Sequence, residues 1–236
     1  MEISNILSSA LLYNLVRGPL VWISFLIFFI GSIFQVFRIL SLTKMDQGIG
    51  IQNKDSKDKK GPAKEKKEGT ILNRLQQLKL TIIGVSPIMI LVTTVFHICL
   101  FIVPVFLFAH NIMLDDAWGV SLFTFSEKTA DILTIIFLAT ALVFLFRRLF
   151  VGRVRSITSF YDYFIWFVAT APFLTGFLAY HQMFDYRTVI VLHMLLGELM
   201  LITIPFTKFI HMFFFFIFRF FVKSEYSLGK GNRTWY

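Results

Sequence analysis

Cysteine and charged residues are scarce in this sequence of 236 residues. Cys99 is the single cysteine, and Asp, Glu, Lys and Arg together make up 16% of the chain, against about a quarter in a typical soluble domain. One cysteine excludes an internal disulfide, a thiolate zinc site and a cysteine-bound iron–sulfur cluster. The low charge content excludes an ordinary soluble protein.

Hydrophobic residues are abundant instead and form long runs. They make up 56% of the chain, and Phe alone occurs 30 times. Five runs are long enough to cross about 30 Å of hydrocarbon as helices that rise about 1.5 Å per residue. They cover residues 19–37, 82–109, 129–146, 160–180 and 188–222. The sequence therefore predicts an all-α integral membrane protein, a single membrane domain over residues 1–236 with five transmembrane helices.

Lys and Arg are concentrated between the apolar runs. Of the 23, 18 lie in segments 44–79, 147–155 and 219–233, which the predicted topology places on one side of the membrane, against three (Arg17, Lys128 and Arg187) on the other. The positive-inside rule then places the N-terminus outside and the C-terminus in the cytoplasm, in a multi-pass protein of the cytoplasmic (inner) membrane. Segment 44–79 is lysine-rich and has no aromatic residue, which predicts a basic cytoplasmic loop that is partly disordered. Because the basic charge lies beside apolar runs, the lipid bilayer is the expected partner and nucleic acid is not.

All five histidines lie in or at the end of a predicted span. His97 and His110 lie on the second, His181 at the end of the fourth, and His193 and His211 on the fifth. Ionisable side chains are costly at membrane depth, so each is a functional candidate. The alternative is a neutral histidine that is hydrogen-bonded to a neighbouring helix, which is the commoner case for one histidine but weaker for two pairs on two spans.

The spacing of four of these histidines suggests two sites. His193 and His211 are 18 residues apart, which on a continuous helix is five turns, one face and about 27 Å. His97 and His110 are 13 residues apart on a span that runs the other way. Matching depths pairs His110 with His193 at the outer side and His97 with His211 at the inner side. Two bis-imidazole sites stacked across a membrane are what two b-type haems require as axial iron ligands, whereas covalent c-type haem is excluded because no Cys-x-x-Cys-His motif occurs.

The second span fits this arrangement less well. Thirteen residues on a straight helix leave His97 and His110 on different faces. Pro104 lies between them, and a kink there would re-aim the outer ligand. His181 is the alternative outer ligand. Gly176 and Gly197 are small residues that would let a macrocycle approach a helix backbone.

Further ionisable residues have candidate roles. Lys208, Arg147 and Arg148 are candidate partners for inner haem propionates, with interfacial anchoring as an equally good alternative. His181, Asp131 and Glu127 are candidates for a quinone or proton-transfer site near the outer surface. Glu198, beyond His193 on the fifth span, is a candidate proton relay.

The motifs carry a resemblance to a known family. FHICLFIVPVFLFAH on the second span and VLHMLLGELMLITIPFTKFIH on the fifth resemble the nitrate reductase gamma-subunit-like dihaem cytochrome b family. With DYFIWFVATAPFLTGFLAYH on the fourth span, the sequence is most similar to the cytochrome b subunits of transmembrane redox complexes (Tmc and Hmc types) of sulfate-reducing bacteria. The spacing of His97 and His110 is wider than in the nitrate reductase subunit.

The resemblance implies a dihaem b subunit of a respiratory redox complex. It would pass electrons between menaquinone or a periplasmic multihaem cytochrome c and a cytoplasmic iron–sulfur subunit, as the electron-transfer part of an oxidoreductase. His97 and His211 would then ligate the inner haem, and His110 and His193 the outer haem. Two alternatives stay open: a proton-coupled transporter or channel that uses the buried His residues and Glu198, and a structural anchor without a cofactor.

Overall fold

The computed structural model describes residues 10–46 and 86–214, with side chains for residues 10–41 and 86–214. All the regular structure in these ranges is helical, and no strand occurs in them. Five of the helices are long and apolar enough to cross a membrane. The predicted fold class, an all-α protein with five membrane-spanning helices, is confirmed. Of the predicted basic loop, residues 44–46 end the first long helix, whereas 47–79 lie outside the described residues.

Within residues 86–214 the helices follow one another with short connections. A π-helical turn, Val16–Leu20, precedes α1; the later helices are α2 to α7, and two 3-10 turns, Ile204–Phe206 and Lys208–Ile210, follow α7. The bounds are α1 Val21–Asp46, α2 Pro87–Phe106, α3 Phe108–Trp118, α4 Glu127–Phe150, α5 Gly152–Arg155, α6 Phe160–Tyr180 and α7 Tyr186–Thr203. Helix α6 coincides with the predicted fourth span, and α4 extends the predicted third span at both ends.

Polar residues begin the three last long helices. Ser126 precedes α4, and its hydroxyl accepts a bond from the Thr129 amide at 3.3 Å. Ser159 and Asp162 form a capping box at the start of α6. Asp185 precedes α7, and its carboxylate accepts bonds from the amide and hydroxyl of Thr188 at 2.9 and 2.7 Å. These side chains satisfy amides that the first turn of a helix leaves without an internal partner.

By its internal contacts the chain divides into two compact units. The first is made of Met1–Ile51 and Thr158–Tyr236, and the second of Gln52–Ile157. Helices α1, α6 and α7 belong to the first unit, and α2 to α5 belong to the second.

In the first unit, α7 packs against both α6 and α1. Lys208 bonds Asp162 near the start of α6, and His193 bonds Pro172 further along it, so α6 and α7 are antiparallel. The π turn contacts α7, and Gly31 on α1 lies against Pro205 beyond the end of α7, so α1 and α7 are parallel. Buried side chains of α6 and of the segment after α7 form the core, which contains Val168, Ala169, Ile204 and Phe209.

In the second unit, α2 packs against α4. Phe96 on α2 stacks on Phe137 at a ring distance of 4.8 Å and meets Phe144 edge-on at 5.1 Å. At one end, the Phe125 amide donates to the Phe106 carbonyl at 3.0 Å. The two helices are therefore antiparallel, and aromatic packing holds them together.

Two predicted spans are interrupted, and for the fifth this corrects the prediction of a continuous helix. The second is broken at Leu107, whose backbone is extended (φ −70°, ψ 132°). The kink expected near Pro104 is thus a break, three residues further on. The fifth span leaves α-helical geometry at Ile204 and is extended at Thr207 (φ −123°, ψ −172°). Pro205, which lacks an amide hydrogen, lies in the first 3-10 turn and explains why the α-helix ends there.

Candidate functional site

The imidazole of His193 is hydrogen-bonded to the backbone of α6. Its Nδ1 lies 2.9 Å from the carbonyl oxygen of Pro172 and 3.4 Å from the hydroxyl of Thr175. A Cβ placed on Gly176 would lie 3.0 Å from Cε1 of the imidazole. Gly176, which was predicted to make room for a macrocycle, therefore lies directly against the ring of His193. Any larger residue at this position would crowd that ring.

His211 follows the second 3-10 turn. Its Nδ1 lies 2.6 Å from the carbonyl oxygen of Lys208. The side chain of Lys208 bonds the carboxylate of Asp162 at 2.6 Å, and its ammonium lies 5.3 Å from the ring centre of Tyr161. The segment that presents His211 is thus attached to the start of α6, and the ammonium expected to face a haem propionate is engaged by Asp162.

His97 lies in the middle of α2. Its Nδ1 is 2.7 Å from the carbonyl oxygen of Thr93, one turn earlier. Its ring meets that of Phe96 edge-on at 5.4 Å. Because Phe96 packs on α4, this part of α2 is fixed in the second unit.

His110 lies just beyond the break at Leu107. Its Nδ1 is 2.8 Å from the carbonyl oxygen of Pro104. The neighbouring Asn111, which is 2% exposed, donates to the carbonyls of Val105 and Leu107 at 2.9 and 3.1 Å and accepts from the Leu122 amide at 2.9 Å. Sequence reasoning missed Asn111; its one available signal was an amide side chain at the end of an apolar run.

The four predicted ligands share one feature. In each, Nδ1 lies 2.6–2.9 Å from a backbone carbonyl oxygen. Because a carbonyl only accepts hydrogen bonds, Nδ1 carries the proton of the neutral ring and Nε2 carries the lone pair. A bond of this kind commonly fixes the tautomer and orientation of a metal-binding histidine. The four rings therefore fit the chemistry of an axial haem ligand.

Each predicted pair draws one histidine from each unit. His97 and His110 belong to the second unit, and His193 and His211 to the first. The premise that a continuous helix of five turns separates His193 from His211 is wrong, since the helix is interrupted at Ile204–Ile210. The pairing itself stays a prediction.

The candidates for a quinone or proton-transfer site are also divided between the two units. His181 is exposed at the end of α6 in the first unit, with its ring 4.3 Å from Phe177 and 5.0 Å from Tyr180. Glu127 and Asp131 lie on the first turns of α4 in the second unit. They are four residues apart and so lie on one face of that helix. Their role as a shared site with His181 stays a prediction.

Glu198 is the buried carboxyl group of α7. It is 5% exposed, and neither carboxyl oxygen has a hydrogen-bond partner among the described residues. The hydroxyl of Ser32 on α1 is likewise buried without a partner in that part of the chain. Around Gly197, in contrast to Gly176, no described residue outside the adjacent helix backbone has an atom within 4 Å of the position a Cβ would take.

The described residues hold no group of three His, Cys, Asp or Glu side chains close enough to bind a metal ion. Axial ligation of haem does not require such a group, since the porphyrin supplies four nitrogens and each histidine supplies one.

Comparison with known proteins finds a relative that aligns with 94% of this chain. No family model and no solved structure matches it. It is 32% identical over 232 residues to a curated protein of Nitratidesulfovibrio vulgaris (strain Hildenborough), in an alignment that covers 94% of this chain and 97% of that protein. The name of the relative, "Protein", states no activity. This chain of five membrane-spanning helices belongs to the same family as that Nitratidesulfovibrio vulgaris protein.

Proposed function

We propose that this multi-pass membrane protein is a b-type cytochrome with two haems. The observation that carries the proposal is the common state of four histidines, His97, His110, His193 and His211, each with Nδ1 bonded to a backbone carbonyl and Nε2 as the basic nitrogen. Four ligands of one tautomer supply two iron atoms with two axial nitrogens each. We assign His97 and His211 to an inner haem, and His110 and His193 to an outer haem.

The chain's own residues position the ligands. Pro172 and Gly176 fix the ring of His193 against α6. Asn111 holds the broken helix that presents His110. The contact between Lys208 and Asp162 holds the turn before His211. Bound haem supplies one-electron chemistry, and the protein supplies ligands, orientation and an apolar setting.

The partners follow from the proposed topology and from the family resemblance. The proposal places the protein in the cytoplasmic membrane as the electron-transfer subunit of an oxidoreductase complex. Its cytoplasmic partner would be an iron–sulfur subunit, and its outer partner menaquinone or a periplasmic multihaem cytochrome c. The motifs on α2 and α7 support this assignment through their likeness to the nitrate reductase gamma-subunit-like cytochromes.

The test is a reduced-minus-oxidised absorption spectrum of the detergent-purified full chain, with extracted haem measured against protein. We expect b-type bands and about two haems per chain, one for each pair of axial histidines. Folded protein, expressed with haem supplied, that lacks these bands would contradict the proposal.

A proton-coupled transporter or channel is the second candidate, and Glu198 favours it. A buried ionisable group in a membrane helix commonly marks an ion or proton pathway. This candidate is preferred if the folded protein binds no haem and proteoliposomes that contain it take up protons with a solute. A purely structural anchor would show neither property.

A further inference from the structure

Glu198 is a buried carboxyl group of the first unit, and no described residue is hydrogen-bonded to it. Both its oxygens are buried and have no hydrogen-bond partner among the described residues. An ionised carboxylate without a partner in apolar surroundings costs so much free energy that such a group takes a proton instead. The protonated acid is therefore the form that this environment favours.

Charged side chains on the neighbouring helices lie away from the depth of Glu198. Among the residues of α1 and the preceding turn whose side chains are described, they are Arg17 and Arg38, about ten and twenty ångströms along the helix from Ser24 at its usual rise. On α6 the charged residue is Asp162, which bonds Lys208. The stretch of α6 from Val168 to Gly176, which faces the part of α7 between His193 and Ile204, carries no charge. No cation on either neighbour, in the parts described, is placed to hold Glu198 ionised.

Two side-chain hydroxyls of α1 are buried, those of Ser24 and Ser32. Gly31 contacts Pro205, and α1 and α7 are parallel. Seven residues back along each helix, at equal rise, Ser24 on α1 lies at about the depth of Glu198 on α7. Ser24 is 0% exposed and donates to the Leu20 carbonyl at 2.8 Å, so its oxygen keeps lone pairs that accept a proton. Ser32 lies about two turns further along α1, at about the depth of the 3-10 turn that follows α7, and its hydroxyl is also buried.

The contact between α1 and α7, the α1–α7 seam, begins at an unusual stretch of backbone. The π-helical turn Val16–Leu20 contacts α7 and ends at Leu20, the residue whose carbonyl accepts from Ser24. π turns inside helices are frequent at functional sites. The two helices in contact thus carry an irregular turn, two buried hydroxyls and a buried acid.

We propose that Glu198 is a proton-transfer site, a protonated carboxylic acid in the membrane interior that exchanges its proton with solvent along the α1–α7 seam through Ser24 and Ser32. The exchange releases one proton from the carboxyl group and returns one, and no electron is transferred. The site does not depend on haem. It is compatible with both candidate functions, an electron carrier linked to proton transfer and a proton-coupled transporter.

Infrared spectroscopy of the full chain in detergent tests this site. The difference between wild-type and Glu198→Gln protein contains the C=O stretching band of the protonated acid. We expect that band to shift in D₂O while the amide hydrogens of the helices remain unexchanged. Absence of the band would mean that Glu198 is ionised, and a band that does not shift would mean that the acid is isolated from solvent. Either result overturns the proposal.

The route is tested with hydroxyl variants. Replacing Ser24 and Ser32 by Ala together is expected to slow the D₂O shift severalfold, whereas Ser41→Ala, which removes an exposed hydroxyl from the same helix, leaves it unchanged. Exchange at the wild-type rate in the double variant would exclude the seam as the route.

Dicyclohexylcarbodiimide provides a readout that needs no variant to fold. This apolar reagent adds to protonated carboxyl groups and rearranges to a stable N-acylurea, with no leaving group. Peptide mapping of labelled wild-type protein is expected to find the adduct on Glu198 and not on Asp162, which is ionised and paired with Lys208. Labelling of Asp162 with Glu198 unmodified would overturn the proposal.

Discussion

Gly176 sets how closely the imidazole of His193 approaches α6. A Cβ at this position would lie 3.0 Å from Cε1 and 3.3 Å from Nδ1 of the ring. The ring has little freedom to move away, because Nδ1 bonds the Pro172 carbonyl at 2.9 Å. The glycine and the histidine therefore act as one unit, in which the size of one residue determines the position of the other.

The variant Gly176→Ala is expected to displace His193. Overpacking in a well-packed region costs about 1–3 kcal/mol, and the alanine regains up to about 1 kcal/mol of helix propensity. We expect a net loss of about 1 kcal/mol in stability, together with loss of one haem under the proposed function. Thermal unfolding and haem content measure the two effects.

Gly197→Ala is the matched control. It makes the same change inside α7, but no described residue outside the adjacent helix backbone has an atom within 4 Å of the new Cβ. Here the expected effect is a gain of about 0.5–1 kcal/mol in stability from helix propensity. Equal effects of the two substitutions would show that the contact with His193 is unimportant.

At the scale of elements, side chains replace the hydrogen bonds that interrupted helices lose. In a continuous helix, the carbonyls of Pro104 and Val105 would accept from the amides of residues 108 and 109. Instead, the side chains of His110 and Asn111 lie at these oxygens. At the break after α7, Gln35 of α1 donates to the Pro205 carbonyl at 2.9 Å. Each break is thus fixed by a polar side chain.

Asn111 is expected to be needed for the break between α2 and α3. Replacing it by Leu removes two donors and one acceptor at a site that is 2% exposed. Leaving a buried polar group unsatisfied costs about 1–3 kcal/mol, so thermal unfolding of Asn111→Leu is expected at a clearly lower temperature.

The control for this substitution is Asn14→Leu, which changes an exposed asparagine. A surface change of that kind is expected to stay within about 0.5 kcal/mol of wild type. If both leucine variants unfold at the wild-type temperature, the hydrogen bonds of Asn111 do not maintain the break.

Asp185 is expected to make the start of α7 sensitive to acid. Hydrogen bonds from the hydroxyl and amide of Thr188, and then the charge of Arg187, lower the pKa of Asp185. A lowered pKa in the folded state means that the stabilisation is complete above the ordinary carboxyl value of about 3.9. It is lost as pH falls from there through the lower pKa of the folded protein.

The comparison of wild type with Asp185→Asn isolates this effect. Asn keeps the capping oxygen but does not titrate in this range. The difference in unfolding temperature is therefore expected to be constant near neutral pH and to change below about pH 3.9. A difference that is independent of pH down to strong acid would contradict the assignment.

Apolar run length predicted the long helices but not their interruptions. Helix α6 coincides with its predicted span because residues 163–180 carry no charged side chain and Ser159 and Asp162 mark the start. The break at Leu107 is not at a proline, and it depends on Asn111, whose three partners come from both sides of the break. In the turn after α7, the carbonyl of Pro205 accepts a hydrogen bond from Gln35, 170 residues away in the sequence. Such distant bonds leave no periodic signal in the sequence.

The histidines show the same limit at the candidate site. Residue type and predicted membrane location made the histidines candidates. The carbonyl partner of each Nδ1 is seen only in the structure. For His193 that partner, Pro172, lies on another helix. The argument from five helical turns failed because it assumed that the fifth span was uninterrupted.

At the scale of the whole molecule, the apolar surface is directed outward. In the most apolar stretch of each long helix, between 11% and 44% of the residues are buried. An aqueous protein would not expose so many large apolar side chains, so lipid is the environment that these helices fit. Association of the long helices through such faces relies on packing and a few polar contacts rather than on the hydrophobic effect.

Each proposed haem pair takes one histidine from α2 or α3 and one from α7 or the segment after it. This gives a test of pairing through combined variants. Each single substitution by Ala, at His97, His110, His193 or His211, is expected to remove about one of two haems, because iron with one axial imidazole is held weakly.

The double variants separate the possible pairings. His110→Ala combined with His193→Ala is expected to retain one haem, since both changes affect the same site, whereas His193→Ala combined with His211→Ala is expected to retain none. The measurement is haem per protein, with helicity by circular dichroism as the control for folding. If the pairs were His97 with His193 and His110 with His211, the first double variant would lose both haems. If His181 were the outer ligand, His110→Ala alone would keep both haems and His181→Ala would lose one, so the four haem ratios distinguish every pairing considered.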